Sequence, residues 1–201
     1  MARTQSKSYP EIRENILKSA AKLFAVKGFS TATIEDLAHA CNSSRGALYH
    51  YFDSKEEILG SIVAEHVSTM LDELQKVGEQ RLEPREHLHA VARCIMEINA
   101  SNNAEQIILL NDWNQIEASQ QKDIAEAQRK IVSIVRNALT RLDDSRRLTP
   151  KLSSTYAMML LGILNYTYTW YDPKGPVTPS EYAARAVDVF LDGFRSPPSQ
   201  P

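Results

Sequence analysis

The sequence is poor in glycine and cysteine. It contains seven glycines and two cysteines in 201 residues. Cys41 and Cys94 lie in apolar helical patterns without the CxxC spacing of a zinc or redox site, so we expect two buried thiols and no disulfide framework. Because glycine is scarce and long stretches have apolar residues at helical spacing, the sequence predicts an all-α fold.

Long apolar runs are also missing. Residues 1–15 contain no apolar segment of the kind found in a secretory signal. The longest strongly apolar run, residues 156–164, is far shorter than the ~20 residues that span a bilayer. We therefore expect a cytoplasmic protein with no membrane partner.

The patterns that carry catalysis are absent from the sequence. It has no glycine-rich phosphate loop, no GxSxG elbow and no HExxH motif. His87 and His89 are two residues apart, which turns them about 200° from each other on a helix. Glu97, Glu105 and Glu117 lack the Glu-x-x-His spacing of a di-metal bundle. We expect no enzyme, and therefore no catalytic residue, no cofactor and no metal site.

Charge is nearly balanced overall but unevenly distributed. Residues 1–55 carry eight Lys or Arg and five acids, a net +3, whereas the rest carries 15 basic and 20 acidic residues, a net −5. A basic N-terminal quarter on an acidic remainder favours a DNA-binding module attached to a body that does not touch DNA.

The first two predicted helices have clear boundaries. Helix 1 is predicted over residues 10–27, with Gly28 as the left-handed residue that ends it and Phe29 folding back onto the core. Thr33 is expected to cap helix 2 in a capping box with Asp36. The predicted apolar face of helix 1 consists of Ile12, Ile16, Ala20, Leu23 and Phe24.

A third helix, predicted from Ser44 to Phe52, follows a turn at Asn42 and completes a helix-turn-helix. Leu48 and Phe52 are expected to anchor it, leaving the opposite face for the DNA major groove, which is about 12 Å wide. Small residues there allow close approach, Tyr and His reach base edges or phosphates, and Arg and Lys neutralise phosphates. The expected DNA-binding residues are Thr33, Ser44, Arg45, Gly46, Ala47, Tyr49, His50 and Lys55.

This segment resembles the TetR (tetracycline repressor-like) family. The residues that carry the resemblance are SRGALYHYF at 44–52 and DSKEEIL at 53–59, with matches upstream that extend it over residues 10–60. Asn42 and Ser43 depart from the family's usual glycine and apolar residue at the turn. The resemblance implies a homodimer that binds a near-palindromic double-stranded DNA operator and is released by a small-molecule effector.

The remainder of the sequence is predicted to be helical. A fourth helix, capped by Ser54, is predicted over residues 55–80, and five further helices over residues 85–99, 103–113, 119–142, 150–171 and 179–194. We expect a helix-turn-helix DNA-binding domain at 1–55, a helical ligand-binding and dimerisation domain at 56–195, and a disordered tail at 196–201. The last two helices are apolar on nearly every side, which favours a four-helix dimer interface.

Polar and aromatic residues inside these helices are candidates for an effector pocket, although core or dimer packing is the alternative for most of them. The candidates are Met70, Arg93, Asn111, Trp113, Arg136, Asn165 and Tyr168. The segment at 165–175 resembles regulators that sense acyl-coenzyme A thioesters. Two further hypotheses stay open: an efflux-type regulator that senses apolar or cationic compounds, and an architectural DNA-binding protein whose affinity is independent of sequence.

Overall fold

The structure is a computed structural model that describes residues 8–143 and 148–195. Over these residues the chain forms nine α-helices and no strand, which confirms the predicted all-α fold. The helices are α1 (Ser8–Lys27), α2 (Ile34–Ala40), α3 (Arg45–Leu48), α4 (Lys55–Glu79), α5 (Pro84–Ser101), α6 (Asn103–Asn111), α7 (Ala118–Thr140), α8 (Pro150–Asn165) and α9 (Pro179–Arg195). The predicted disordered tail, 196–201, lies outside the described residues.

The chain packs into two units. The first contains the described residues of Met1–His66 together with Ala104–Ala125, and the second contains those of Val67–Asn103 and Glu126–Pro201. Helix α4 begins in the first unit and ends in the second, and α7 is divided in the same way. That residues 1–55 form a domain separate from the rest stays a prediction.

Two left-handed residues end α1 and α2, as the sequence predicts. Gly28 has φ +83°, and its N–H donates to the Phe24 carbonyl at 2.9 Å. Asn42 has φ +47°, with its N–H bonded to His39 O at 3.1 Å. The following N–H, of Ser43, bonds to Ala38 O at 2.8 Å, which completes a Schellman motif. The turn therefore keeps its usual geometry without a glycine.

The core of the first unit forms where α1 packs on α2. Ile16, Ala20 and Phe24 of the predicted α1 face are buried, whereas Ile12 of the same face is 41% exposed. Burial along α1 begins one turn later, at Ile16 and Leu17. Phe29 is 3% exposed and its ring lies edge-on to Phe24 at 5.1 Å, as expected.

Two helices end earlier than their patterns predict. The α-helix of α3 covers Arg45–Leu48, and the hydrogen bonds tighten afterwards to three-residue spacing at His50 and Tyr51. Helix α8 ends at Asn165 and continues as a 3₁₀ helix over Tyr166–Thr169, where Thr167 Oγ1 donates to Leu164 O at 2.6 Å. A side-chain hydroxyl that bonds to the preceding turn competes with the helical ladder.

The second unit is built mainly on the packing of α5 against α9, with α8 contacting both. Arg85 on α5 donates to Asp188 Oδ1 on α9 at 2.6 Å, and His89 Nε2 lies 3.3 Å from the same oxygen.

Within the described residues, no helix is both long and apolar enough to cross a bilayer.

Both cysteines are half-buried rather than buried. Desolvation raises the pKa of the Cys94 thiol to about 11, with smaller contributions from Glu73 and Glu97, and burial also raises the pKa of Cys41. Both thiols are therefore protonated and weakly nucleophilic near neutral pH.

Candidate nucleic-acid interface

The segment from Ser44 to Phe52 has an exposed face and a buried anchor. Leu48 and Phe52 are 2% and 3% exposed and hold the segment to the core, as expected. We call the exposed residues around them the reading face; they are Ser44, Arg45, Gly46, Tyr49 and His50. Ser44 caps α3, Arg45 and Gly46 are its first residues, and Tyr49 and His50 follow its last residue.

The start of α3 is fixed by a local cap. Ser44 has an extended backbone, and its Oγ accepts the Ala47 N–H at 3.1 Å. Ala47 itself is half-buried, so it contributes a small surface at the edge of the reading face. A Cβ added to Gly46 would meet no described atom within 4 Å, so the fold does not require glycine there. Its absence of a side chain keeps the backbone accessible to a large partner.

Arg45 lies between an acid and an aromatic ring. Its NH1 donates to Glu35 Oε1 on α2 at 2.9 Å, and its guanidinium carbon lies 5.8 Å from the centre of the Tyr49 ring. Both members of the ion pair are mostly exposed, so the pair is worth little and can exchange for another anion, such as a phosphate.

The ammonium of Lys55 bonds to the protein itself, unlike the exposed side chains of the reading face. Its ammonium donates to the carbonyls of Phe29 and Ala32, both at 2.9 Å, and lies 4.3 Å from the centre of the Phe29 ring. The first residue of α4 thus ties down the loop between α1 and α2. Its expected contact with a phosphate stays a prediction, and two of its three protons already have acceptors within the protein.

Thr33 forms the expected capping box at the start of α2. Its Oγ1 accepts the Asp36 N–H at 3.1 Å, and its own N–H donates to Asp36 Oδ2 at 2.8 Å. The Lys27 ammonium also contacts Asp36 and, together with the bonds from Thr33, holds the pKa of this carboxyl well below its usual range. Thr33 is therefore committed to the cap, and its role in binding DNA stays a prediction.

The structure also brings in aromatic residues that the sequence reasoning did not find. Tyr9, at the start of α1, stacks on Tyr51 with ring centres 4.6 Å apart and meets His50 edge-on at 6.2 Å. One turn further along α1, Arg13 lies 5.1 Å from the centre of the Phe52 ring. No spacing rule connects residues this far apart in sequence, so the pattern contains no signal for these contacts.

The predicted effector residues are dispersed over both units. Asn111 and Trp113 belong to the first unit, where Asn111 is exposed and the Trp113 carbonyl accepts a bond from Gln121 at 2.9 Å. Met70, in the second unit, is 6% exposed, and Arg136 NH2 donates to Ser133 Oγ at 3.1 Å. That the seven candidates line one effector site stays a prediction.

A polar pair in the second unit includes one of those candidates. Asn165 Oδ1 accepts a bond from Asn99 Nδ2 at 3.1 Å. Asn99 is 3% exposed, and its Oδ1 has no hydrogen-bond partner among the described residues. An asparagine within the apolar pattern of α5 was the available signal for it. Tyr168 is half-buried nearby in sequence, with its ring edge-on to Tyr166 at 6.2 Å.

An open groove of about 400 Å³ lies between α4 and α5 within the second unit. Lys76 and Arg93 line it together with Glu73 and Glu97, so neither sign of charge dominates. Arg93 is a predicted effector residue, and none of the other described candidates lines the groove.

No group of three or more His, Cys, Asp or Glu in the described part of the chain is placed to hold a metal ion.

Comparison with known proteins places the chain among helix-turn-helix regulators. A family model described as "Bacterial regulatory proteins, tetR family" matches residues 16–62, and another, described as "Tetracyclin repressor-like, C-terminal domain", matches residues 81–194. The solved structure of a TetR-family transcriptional regulator from Bordetella parapertussis is 34% identical. It has a TM-score of 0.86 and covers 94% of this chain and 98% of that one.

Two further proteins are similar over most of their length. The HTH-type transcriptional repressor KstR2 of Rhodococcus jostii is 26% identical over 194 residues, covering 92% of each chain. AibR, solved in complex with isovaleryl coenzyme A and operator DNA, is 23% identical with a TM-score of 0.77. It covers 89% of this chain and 97% of its own, which shows a shared fold.

Proposed function

Because the chain belongs to the TetR family of bacterial regulatory proteins, we propose that it represses transcription by binding a near-palindromic operator as a homodimer. It acts in the cytoplasm, by binding rather than by catalysis, and a small molecule releases it from DNA. The observation that carries the proposal is the reading face, which is exposed on a segment whose Leu48 and Phe52 are buried.

DNA recognition is assigned to the reading face. Tyr49 is 44% exposed and His50 is also exposed, so both side chains are accessible to base edges or phosphates. Arg45 exchanges Glu35 for a phosphate. The test is selection of a duplex from a random-sequence DNA pool, followed by anisotropy titration at fixed salt. An architectural protein would bind every duplex equally, which would overturn the proposal.

The dimer is assigned to α8 and α9. The large apolar residues that α8 exposes recur at helical spacing; they are Leu152, Met158, Met159 and Ile163, with Tyr166 just beyond. On α9, Val189 is 73% exposed. Gly162 is exposed among them, and a Cβ there would meet no described atom within 4 Å, which leaves room for a second helix. An exposed apolar face of this kind favours burial against a second copy.

The dimer is tested with the double variant Met159→Glu, Ile163→Glu. It places two carboxylates in the proposed interface, and light scattering should then report a monomer, with loss of affinity for the selected duplex. The matched control is Val26→Glu, because Val26 is 90% exposed on α1 and lies outside that face. A wild-type monomer, or a double variant that still dimerises, would contradict the proposal.

The effector is assigned to the second unit, with a coenzyme A thioester as the first candidate. Three observations favour the thioester: the resemblance of residues 165–175 to acyl-CoA sensors, the shared fold with AibR, and the cations Arg93 and Arg136. The groove contains as many acids as cations, so an apolar or cationic compound is the second candidate. Native mass spectrometry of freshly purified protein identifies a co-purified molecule. Calorimetry with isovaleryl coenzyme A, free coenzyme A and ethidium then separates the two classes.

Release from DNA is assigned to α4, because this helix contributes to both units. A ligand that binds one position of α4 more tightly than the other shifts the population between DNA-binding and released states. The two recognition helices of a bound dimer lie roughly 34–36 Å apart, so a small change in their separation is enough. Unchanged affinity for the selected duplex when a ligand is bound would contradict this mechanism.

A further inference from the structure

The residue expected to read bases, His50, lies beyond the α-helical part of α3. Its N–H bonds to Ala47 O at 3.2 Å, and the Tyr51 N–H bonds to Leu48 O at 2.9 Å, both with three-residue spacing. These tighter bonds have poorer geometry than those of an α-helix. The direction in which His50 points therefore depends on what its ring packs against.

The ring of Tyr9 supplies that contact. It stacks on Tyr51 at 4.6 Å with an angle of 32° between the planes, and it meets His50 edge-on at 6.2 Å. His50 and Tyr51 are themselves edge-on at 5.3 Å, so the three rings form one cluster. Such pairs contribute beyond the area they bury. Since Tyr9 is 42% exposed, its ring adds little to the core.

A second contact from α1 strengthens this arrangement. Arg13, four residues after Tyr9 and thus on the same side of α1, lies over the Phe52 ring at 5.1 Å and forms an ion pair with Glu65 on α4. One side of α1 therefore holds three consecutive side chains, from His50 to Phe52.

We propose that Tyr9 is a positioning residue for operator recognition: its ring, stacked on Tyr51, fixes the orientation of the His50 imidazole toward the base edges. The inference rests on the proposed role of His50 in reading DNA. It adds a determinant of sequence specificity outside the helix-turn-helix, on the first turn of α1.

The test is a double-variant cycle with Tyr9→Ala, His50→Ala and the two combined, measured by anisotropy on the duplex that the wild-type protein selects from a random pool. Tyr9→Ala should weaken binding roughly 2- to 12-fold, the range of an aromatic pair. It should cause no further loss when His50 is already alanine. Tyr9→Phe keeps the ring and should restore wild-type affinity.

Two controls separate positioning from folding and from bulk electrostatics. Ile12→Ala removes a side chain of similar exposure on the same turn of α1 and should leave affinity unchanged. Binding to poly(dI-dC), and its dependence on salt, should be the same for Tyr9→Ala and wild type, because no charge is removed.

Each contrary result has a distinct meaning. Additive losses in the double variant would overturn the inference, since Tyr9 would then act without His50. Equal losses for Tyr9→Phe and Tyr9→Ala would also overturn it, by assigning the effect to the phenol hydroxyl. Wild-type affinity of His50→Ala would overturn the base-reading role itself, and the role of Tyr9 with it.

Discussion

The reading face and the residues behind it differ in what holds them and in what they contact. The reading face is exposed, and the cap at Ser44 and the turn at Asn42 fix the start of the backbone segment that carries it. We call the residues behind it the support; they are Leu48, Phe52, Lys55 and Asp36, and their partners include residues of the α1 end and the α1–α2 loop. We therefore expect operator recognition and folding to depend on different residues of this region.

Lys55 belongs to the support although its charge resembles that of Arg45 in the reading face. The sequence groups it with Arg45 as a cation for phosphates, yet the structure places its ammonium on two carbonyls of the α1–α2 loop. Substitutions in the support should therefore change the free energy of unfolding. Substitutions of Arg45, Tyr49 or His50 in the reading face should change DNA affinity with little effect on stability.

The largest effect is expected from Leu48→Ala. Leu48 is 2% exposed, and a cavity left by a buried leucine costs roughly 2–5 kcal/mol. Urea unfolding measures the loss, with Val26→Ala as an exposed control that should be near neutral. If Leu48→Ala unfolded like wild type, the anchor would not belong to the support.

Next comes His50→Ala in the reading face. A side chain that reads a base contributes roughly 1–3 kcal/mol to operator affinity, and removing this exposed ring should leave urea unfolding within about 0.5 kcal/mol of wild type. Parallel anisotropy and unfolding measurements check both halves. A loss of stability as large as the loss of affinity would merge the two regions that the comparison separates.

Lys55→Met should behave as a support substitution. The variant keeps most of the aliphatic side chain and removes the charge that bonds to Phe29 and Ala32, at an expected cost of about 1–2 kcal/mol of unfolding free energy. A phosphate contact alone would instead leave stability intact and reduce the slope of log affinity against log salt by about 1. The salt titration thus decides to which region Lys55 belongs.

Gly46→Ala should have opposite effects on the two quantities. No described atom obstructs a Cβ there, so replacing a helical glycine should raise stability by roughly 0.5–1 kcal/mol. Affinity for the selected duplex should fall, because the methyl group occupies the surface that approaches the bases. Unchanged affinity would place Gly46 away from the groove.

The smallest effect is a pH dependence at Asp36. Its pKa lies below the ordinary 3.8 because of Lys27 first and Thr33 second, so its contribution is present above about pH 3.8 and is lost as pH falls below that value. Melting temperatures of wild type and Asp36→Asn should converge as the solution is acidified. Asp53→Asn removes one exposed carboxylate and serves as the control; a difference that persists in strong acid would contradict the assignment.

The parts of the fold that the sequence predicted depend on neighbours within a few positions. Gly28 and Asn42 adopt positive φ, and Thr33 and Ser54 accept the N–H groups of Asp36 and Glu57, because turns and caps are decided locally. The end of α8 was predicted too late because the apolar and aromatic pattern continues into the 3₁₀ turn at Tyr166–Thr169, and such a pattern does not distinguish the two kinds of helix.

The contacts that the sequence did not predict join residues far apart in the chain. Tyr9 meets Tyr51, and Lys55 reaches Phe29, only once α1 has packed on the helix-turn-helix. The effector residues illustrate the same limit. B-DNA presents one repeating shape, so a short motif is enough to indicate it, whereas a small-molecule pocket is assembled from several helices and has no local signature.

Selection of bound duplexes from a random DNA pool by the wild-type protein decides whether this chain is a dimeric, sequence-specific DNA-binding regulator. We expect one enriched, near-palindromic site whose half-sites lie about one helical turn apart or a multiple of it. Recovery of a pool without any enriched sequence would contradict it.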